Sequence, residues 1–132
     1  MIKLISSFIF ALIIAAFSLP ALAVEYSCEV MRKLDREQDY TSKQIAKFRF
    51  SNRVEELNES SFVSRCSFTP SAGKVTCDRY KIDKVVFDEN VKIKKYYRFE
   101  SQFDFQLFPD LSFVENNGRG GVSYGQCMLV SP

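Results

Sequence analysis

"KKYYRFESQFDFQL", residues 94–107, is the stretch whose reading decides the fold. Tyr97, Phe99, Phe103, Phe105 and Leu107 share one parity, and Arg98, Glu100, Gln102, Asp104 and Gln106 fill the other. Successive side chains of a strand point to opposite faces, so this alternation predicts a β-strand with one wet and one buried face.

The same period recurs outward from it. In "VEYSCEV" Val24, Tyr26, Cys28 and Val30 oppose Glu25, Ser27 and Glu29; in "AKFRF" Ala46, Phe48 and Phe50 oppose Lys47 and Arg49. In "SFVSRCSF" Phe62, Cys66 and Phe68 oppose Arg65 and Ser67. Turn-rich stretches separate the runs at 35–42, 58–60, 69–74, 88–90, 109–110 and 116–121. No helical face of useful length is visible beyond the first residues, although "NRVEELNE" has room for a turn or two of helix. The expectation is an all-β domain: a single small antiparallel β-meander of about seven or eight strands, curled into a closed barrel or arranged as a sandwich.

The chain opens with "MIKLISSFIFALIIAAFSLPALA": Lys3, an apolar run from Phe8 to Phe17, then small residues Ala21 and Ala23 around Leu22. The run is short for a membrane span and the ending fits an A-x-A cleavage site. Residues 1–23 are therefore expected to be a cleaved secretory signal peptide, and 24–132 a single disulfide-bonded β domain, periplasmic or secreted. Cys28 lies five residues past the site without a small-residue motif before it, so no stable membrane anchor is expected after cleavage. Of 132 residues, 109 remain once the 23 of the leader go, and they hold 17 basic and 16 acidic residues, a net charge of +1. That balance speaks against nucleic acid as a partner, which calls for a basic excess on one face.

All four cysteines fall beyond the leader, where an oxidising compartment favours pairing. In "RCSFTPSAGKVTCD" the turn formers at 70–73 lie midway between Cys66 and Cys77, and folding there puts Phe68 opposite Val75 and Cys66 opposite Cys77. Cys28 is left for Cys127, a bridge that brings the first and last strands together and favours closure of a barrel. These cysteines are not expected to ligate zinc, because the chain has no His and no CxxC spacing. No metal or cofactor is expected.

"SFVENNGRGGVSYGQC", residues 112–127, is the most pointed candidate for recognition. Asn117-Gly118 suits a type I′ hairpin turn, since both positions of such a turn need positive φ. Gly120 and Gly121 exceed what the turn requires, which leaves a second reading open: a recognition loop of Asn116, Asn117, Gly118, Arg119, Gly120 and Gly121, with Arg119 aimed at a carboxylate or phosphate and loop N–H groups forming a nest. A basic and aromatic patch is the other candidate, built from Lys92, Lys94, Lys95, Tyr96 and Arg98, although the interleaved Asp78, Asp83, Asp88 and Glu89 also suit a solvated, salt-bridged face. Lysines on edge strands also discourage sheet-to-sheet aggregation.

Catalysis has few parts to draw on. Without His there is no Ser-His or Cys-His dyad, and paired cysteines supply no thiolate. Nominal carboxylate pairs remain in Asp104 with Asp110 and Glu55 with Glu56. The pattern of leader, early Tyr26-Ser27-Cys28, β-meander and C-terminal Cys resembles in architecture the small periplasmic lysozyme inhibitors, which are eight-stranded barrels. Those insert a Ser-Gly-x-x-Tyr loop into the enzyme cleft. "GVSYG" at 121–125 lacks that spacing, so the resemblance carries over no residue. The functional expectation is a non-catalytic exported binding or interaction module with an unknown protein partner, with a carrier of a small apolar ligand in a Phe-lined barrel as the alternative and a hydrolase inhibitor as a second.

Overall fold

The computed structural model describes residues 23–130. The expected leader, Ala23 apart, lies outside them. Strands run β1 Val24–Leu34, β2 Ser51–Glu56, β3 Ser61–Thr69, β4 Lys74–Lys81, β5 Lys84–Asp88, β6 Ile93–Arg98, β7 Phe103–Leu107, β8 Ser112–Asn116 and β9 Val122–Val130, with one helix, α1 Ser42–Phe48, between β1 and β2. All nine strands join one sheet in the order β4-β3-β2-β1-β9-β8-β7-β6-β5, and every neighbouring pair is antiparallel.

The sheet curls into a half-barrel, and counting explains why it stays open. Eight antiparallel pairings lead from β4 to β5, so the two outer strands run in the same direction. Only Ile82 and Asp83 separate them in sequence, too short a link for a parallel crossover, which takes a dozen residues or more. The chain instead steps sideways: the Ile82 amide donates to Ser61 O of β3, and the Asp83 amide donates to Tyr97 O of β6. β4 continues into β5 while changing partners. This corrects the expected seven or eight strands to nine, and the closed barrel or sandwich to an open curl. The first and last strands do pair, with Cys28 opposite Cys127.

Both expected disulfides are present, Cys28–Cys127 and Cys66–Cys77. Phe68 lies opposite Val75, as the hairpin reading requires. The two bridges sit on different faces. Cys28 and Cys127 belong to the core, whereas Cys66 has the opposite parity to core Val63. The expected inward face of "SFVSRCSF" is thus inverted: Val63 is fully buried and Arg65 shares its face, while Phe62 lies under the Arg79 guanidinium, 3.7 Å from its ring centroid.

Three local expectations are also corrected. Residues 94–107 form a hairpin, with Gln102 at φ 53 and its amide donating to Phe99 O. Arg98 pairs with Phe103, so the buried parity flips from even in β6 to odd in β7; Tyr96, not Tyr97, enters the core, and Phe99 is 61% exposed. "AKFRF" contributes to α1. Thr41 caps that helix by accepting from the Gln44 amide while Gln44 Oε1 accepts from the Thr41 amide, and Arg49 ends it in the left-handed conformation. "NRVEELNE" forms β2 up to Glu56.

The core takes one row of side chains from each wall. Phe105 stacks on Phe113 at 5.0 Å and meets Tyr96 edge-on, with Val54, Val63 and Leu107 packed in the same cluster. Tyr96 donates its hydroxyl to Glu56, which also pairs with Lys94 at 2.5 Å, tying β2 to β6 across the curl. Burial, then the hydrogen bond to Glu56, push the Tyr96 phenol far above its ordinary range, so it remains a donor.

Candidate ligand pocket inside the curl

Two polar half-rows meet inside the sheet. One follows the register Cys28, Asn52, Arg65, Asp78 across β1, β2, β3 and β4. The other follows Lys33, Ser123, Glu115 across β1, β9 and β8, before the same row turns apolar at Phe105 and Tyr96. Lys33 reaches this face because of a bulge. Val30 pairs with Gly125 and Arg32 with Tyr124, so Met31 is the extra residue and parity shifts by one beyond it. Without the bulge, Arg32 would face inward and Lys33 outward.

Curling brings the half-rows together. Arg65 Nε lies 2.5 Å from Glu115 Oε1, and Asn52 Nδ2 donates to Glu115 Oε2 at 2.6 Å, joining β3 and β2 to β8 on the far wall. Glu115 is only 4% exposed, so its charge depends on these two partners. Lys33 Nζ donates to Ser123 Oγ at 3.2 Å and lies 4.9 Å from the Phe50 ring centroid. Burial holds the Lys33 ammonium below the usual lysine range; the Glu115 carboxylate acts the other way and Arg65 adds to the lowering.

These groups line an open cavity of about 230 Å³, with Asp78, Ser67 and Phe50 completing its wall. One atom of a wall residue, itself shut off from the cavity, is unbalanced. Asn52 Oδ1 is buried and accepts no hydrogen bond from the described residues, while the amide nitrogen of the same side chain is committed to Glu115 and, at 3.4 Å, to Ser64 O. The carboxylate partner fixes the amide orientation, because an oxygen turned toward Glu115 would be repelled. A buried acceptor left without a donor costs about 1–3 kcal/mol.

The loop singled out in the sequence is held by its own side chains. Asn116 Oδ1 accepts from the Gly118 amide, and Asn117 Oδ1 accepts from the amides of Arg119 and Gly121. Three of the N–H groups that a nest needs are thereby occupied. Positive φ falls at Gly118 (78°) and Gly120 (92°), not at Asn117, so the turn is not of type I′. Arg119 is exposed beside Asp35, Arg36 and Glu37 of the loop after β1. The basic and aromatic patch does not form one surface. Lys94, Tyr96 and Arg98 take the inward parity of β6, and Arg98 lies 4.4 Å from the Tyr80 ring centroid; Lys95 takes the other face, and Lys92 is the positive-φ residue of the β5–β6 turn.

The nominal carboxylate pairs have separate structural partners. Glu55 pairs with Arg79, Glu56 with Tyr96 and Lys94, and Asp104 accepts from Gln106. Asp110 accepts from the hydroxyl and amide of Ser112, which hold it below the usual carboxylate range. Among the described residues, no group of three or more His, Cys, Asp or Glu side chains is placed to hold a metal ion. No protein-family model, curated protein or solved structure matches the chain.

Lys33, Asn52, Arg65, Glu115 and Ser123 were not among the residues picked from the sequence. For Asn52, Arg65 and Glu115 the signal is a polar side chain at an otherwise apolar parity: Asn52 between Phe50 and Val54, Arg65 beyond Val63, Glu115 beyond Leu111 and Phe113; Lys33, turned inward by the bulge, and Ser123, between Val122 and Tyr124, carry no such signal.

Proposed function

We propose that the protein is a non-catalytic binding module of an oxidising compartment, the bacterial periplasm or the cell exterior, which takes a small polar molecule into the cavity between the two half-rows. The observation that carries this reading is the convergence of Lys33, Asn52, Arg65, Asp78, Glu115 and Ser123 on one cavity of about 230 Å³. Charged and polar side chains converging on a concave site favour a polar ligand. Two disulfides suit an oxidising environment, and the leader expected from the sequence suits export. The non-catalytic reading is supported by a chain without His, four oxidised cysteines and carboxylates already committed to structure. A carrier of apolar ligands draws less support, because Phe105, Phe113 and Tyr96 pack against one another where such a ligand would sit.

The test is a paired titration of the exported protein with a panel of small polar metabolites and with a fluorescent fatty-acid probe. Saturable one-to-one binding of a polar compound, accompanied by a higher Tm, is the expected result. Stoichiometric uptake of the fatty-acid probe with no polar binder would support the apolar carrier and overturn the polar pocket.

A further inference from the structure

β5 ends the sheet, and one side of its backbone has no strand beside it. Its residues, Lys84, Val85, Val86, Phe87 and Asp88, pair with β6 on the other side. Val85 and Phe87 take the inward parity of their partners Tyr96 and Lys94, yet they are 38% and 52% exposed. A hollow of about 390 Å³ separates Lys84 and Val85 from the 57–61 turn, so that turn does not cover the strand. We propose that the protein forms a two-fold dimer in which β5 pairs antiparallel with β5 of a second copy, centred on Val86. No residue of β5 lines the cavity between the half-rows, so dimer and pocket are tested separately.

Symmetry and charge select that register. A two-fold axis normal to the sheet keeps every side chain on its own face, so opposed residues share parity and the axis passes a residue that meets its own copy. With Val86 on the axis, Lys84 lies opposite Asp88 of the second copy at both ends of the ladder, and Val85 lies opposite Phe87. Opposite charges and aromatic with β-branched side chains are favourable cross-strand pairs. Moving the axis to Phe87 sets Val86 against Asp88 and Val85 against Glu89; moving it to Val85 sets Lys84 against Val86 and Asp83 against Phe87. Neither shift joins opposite charges.

The two charged residues are free to pair. Among the described residues neither Lys84 nor Asp88 forms a salt bridge, and the Asn90 amide engages Asp88 through Oδ1 alone. A ladder of 5 residues a side buries less than the roughly 1,600 Å² of a standard interface, so the dimer is weak and concentration-dependent.

Sedimentation equilibrium of the oxidised protein at low salt, over about a hundredfold range of concentration, tests this. The unaltered protein should pass reversibly from monomer to dimer, and added salt should shift it back. Lys84→Asp and Asp88→Lys each set like charges against one another at both ends, and each should weaken association about tenfold or more. An equimolar mixture of these two variants sets acid against base at both ends, as does the variant carrying both exchanges, and each should associate about as well as the unaltered protein. Near-ultraviolet circular dichroism checks that every variant is folded. A protein that stays monomeric throughout, single exchanges that leave its association unchanged, or a weakening that recovers in neither the mixture nor the double variant overturns the dimer.

Discussion

Glu115 is the residue whose removal should be felt most. It is buried, it is met by Arg65 and Asn52, and it links opposite walls of the curl. Glu115→Leu should destabilise by about 3 kcal/mol, because it strands a guanidinium and an amide that lose their partner. Adding Arg65→Met should recover part of that loss, since removing both charges is milder than removing one; urea melts of the single and double variants measure the difference. Gly118 and Arg119 should behave oppositely although they are neighbours. A Cβ on Gly118 would come within 2.3 Å of Ser101 O and 2.7 Å of Gln102 O, at a φ of 78°. Gly118→Ala should therefore cost about 2 kcal/mol or more, whereas Arg119→Ala should change stability by less than about 0.5 kcal/mol. Equal melting temperatures for the two variants would show that the loop does not seat against the 99–102 turn.

At the scale of elements, the exposed edges deserve a direct test. β4 and β5 each leave one side of their backbone unpaired, and Lys74, Lys81 and Lys84 punctuate those edges next to Val75, Val85 and Phe87. Replacing Lys81 and Lys84 together with Val should leave the native fold intact but speed aggregation at mild denaturant, read by light scattering. The strands were largely legible because period two survives wherever one face is buried. "VEYSCEV" shows it plainly, with Cys28 and Val30 inside and Glu29 outside. Failures came where periodicity was ambiguous or interrupted. Ala46, Phe48 and Phe50 alternate, yet Thr41 and Gln44 three residues apart spelled a capping box, and that local chemistry prevailed. Residues 94–107 alternate straight through a four-residue turn, so period two could not reveal that the inward parity had changed hands. The pocket was hidden for a related reason: polar residues at inward positions declare themselves only once the strand faces are known.

For the whole molecule, the pairing of β1 with β9 is the organising contact. The Cys28–Cys127 bridge spans 99 residues of sequence and Cys66–Cys77 spans 11. In the chain-entropy view the long bridge should contribute about 4–5 kcal/mol and the short one about 3 kcal/mol, so Cys28→Ala with Cys127→Ala should lower the urea midpoint further than Cys66→Ala with Cys77→Ala. The sequence foretold this pairing from its cysteines. It could not foretell the opening, which depends on whether the strand count is odd. The sideways step at Ile82 and Asp83 leaves a further mark, on the order in which the chain folds. Apart from β1 with β9, every strand ladder joins strands that follow one another in sequence, so two separate meanders assemble from local contacts and the slow event is their union. Glu25 lies opposite Val130, close enough for a short linker to join the ends of the domain. A circular permutant joined there and opened between Ile82 and Asp83 would read β5 through β9 and then β1 through β4, turning the one distant ladder into a hairpin. Stopped-flow refolding of that permutant, with its disulfides reduced alongside the reduced parent, should be markedly faster, because the stagger that keeps the sheet open also marks where its chain is best begun.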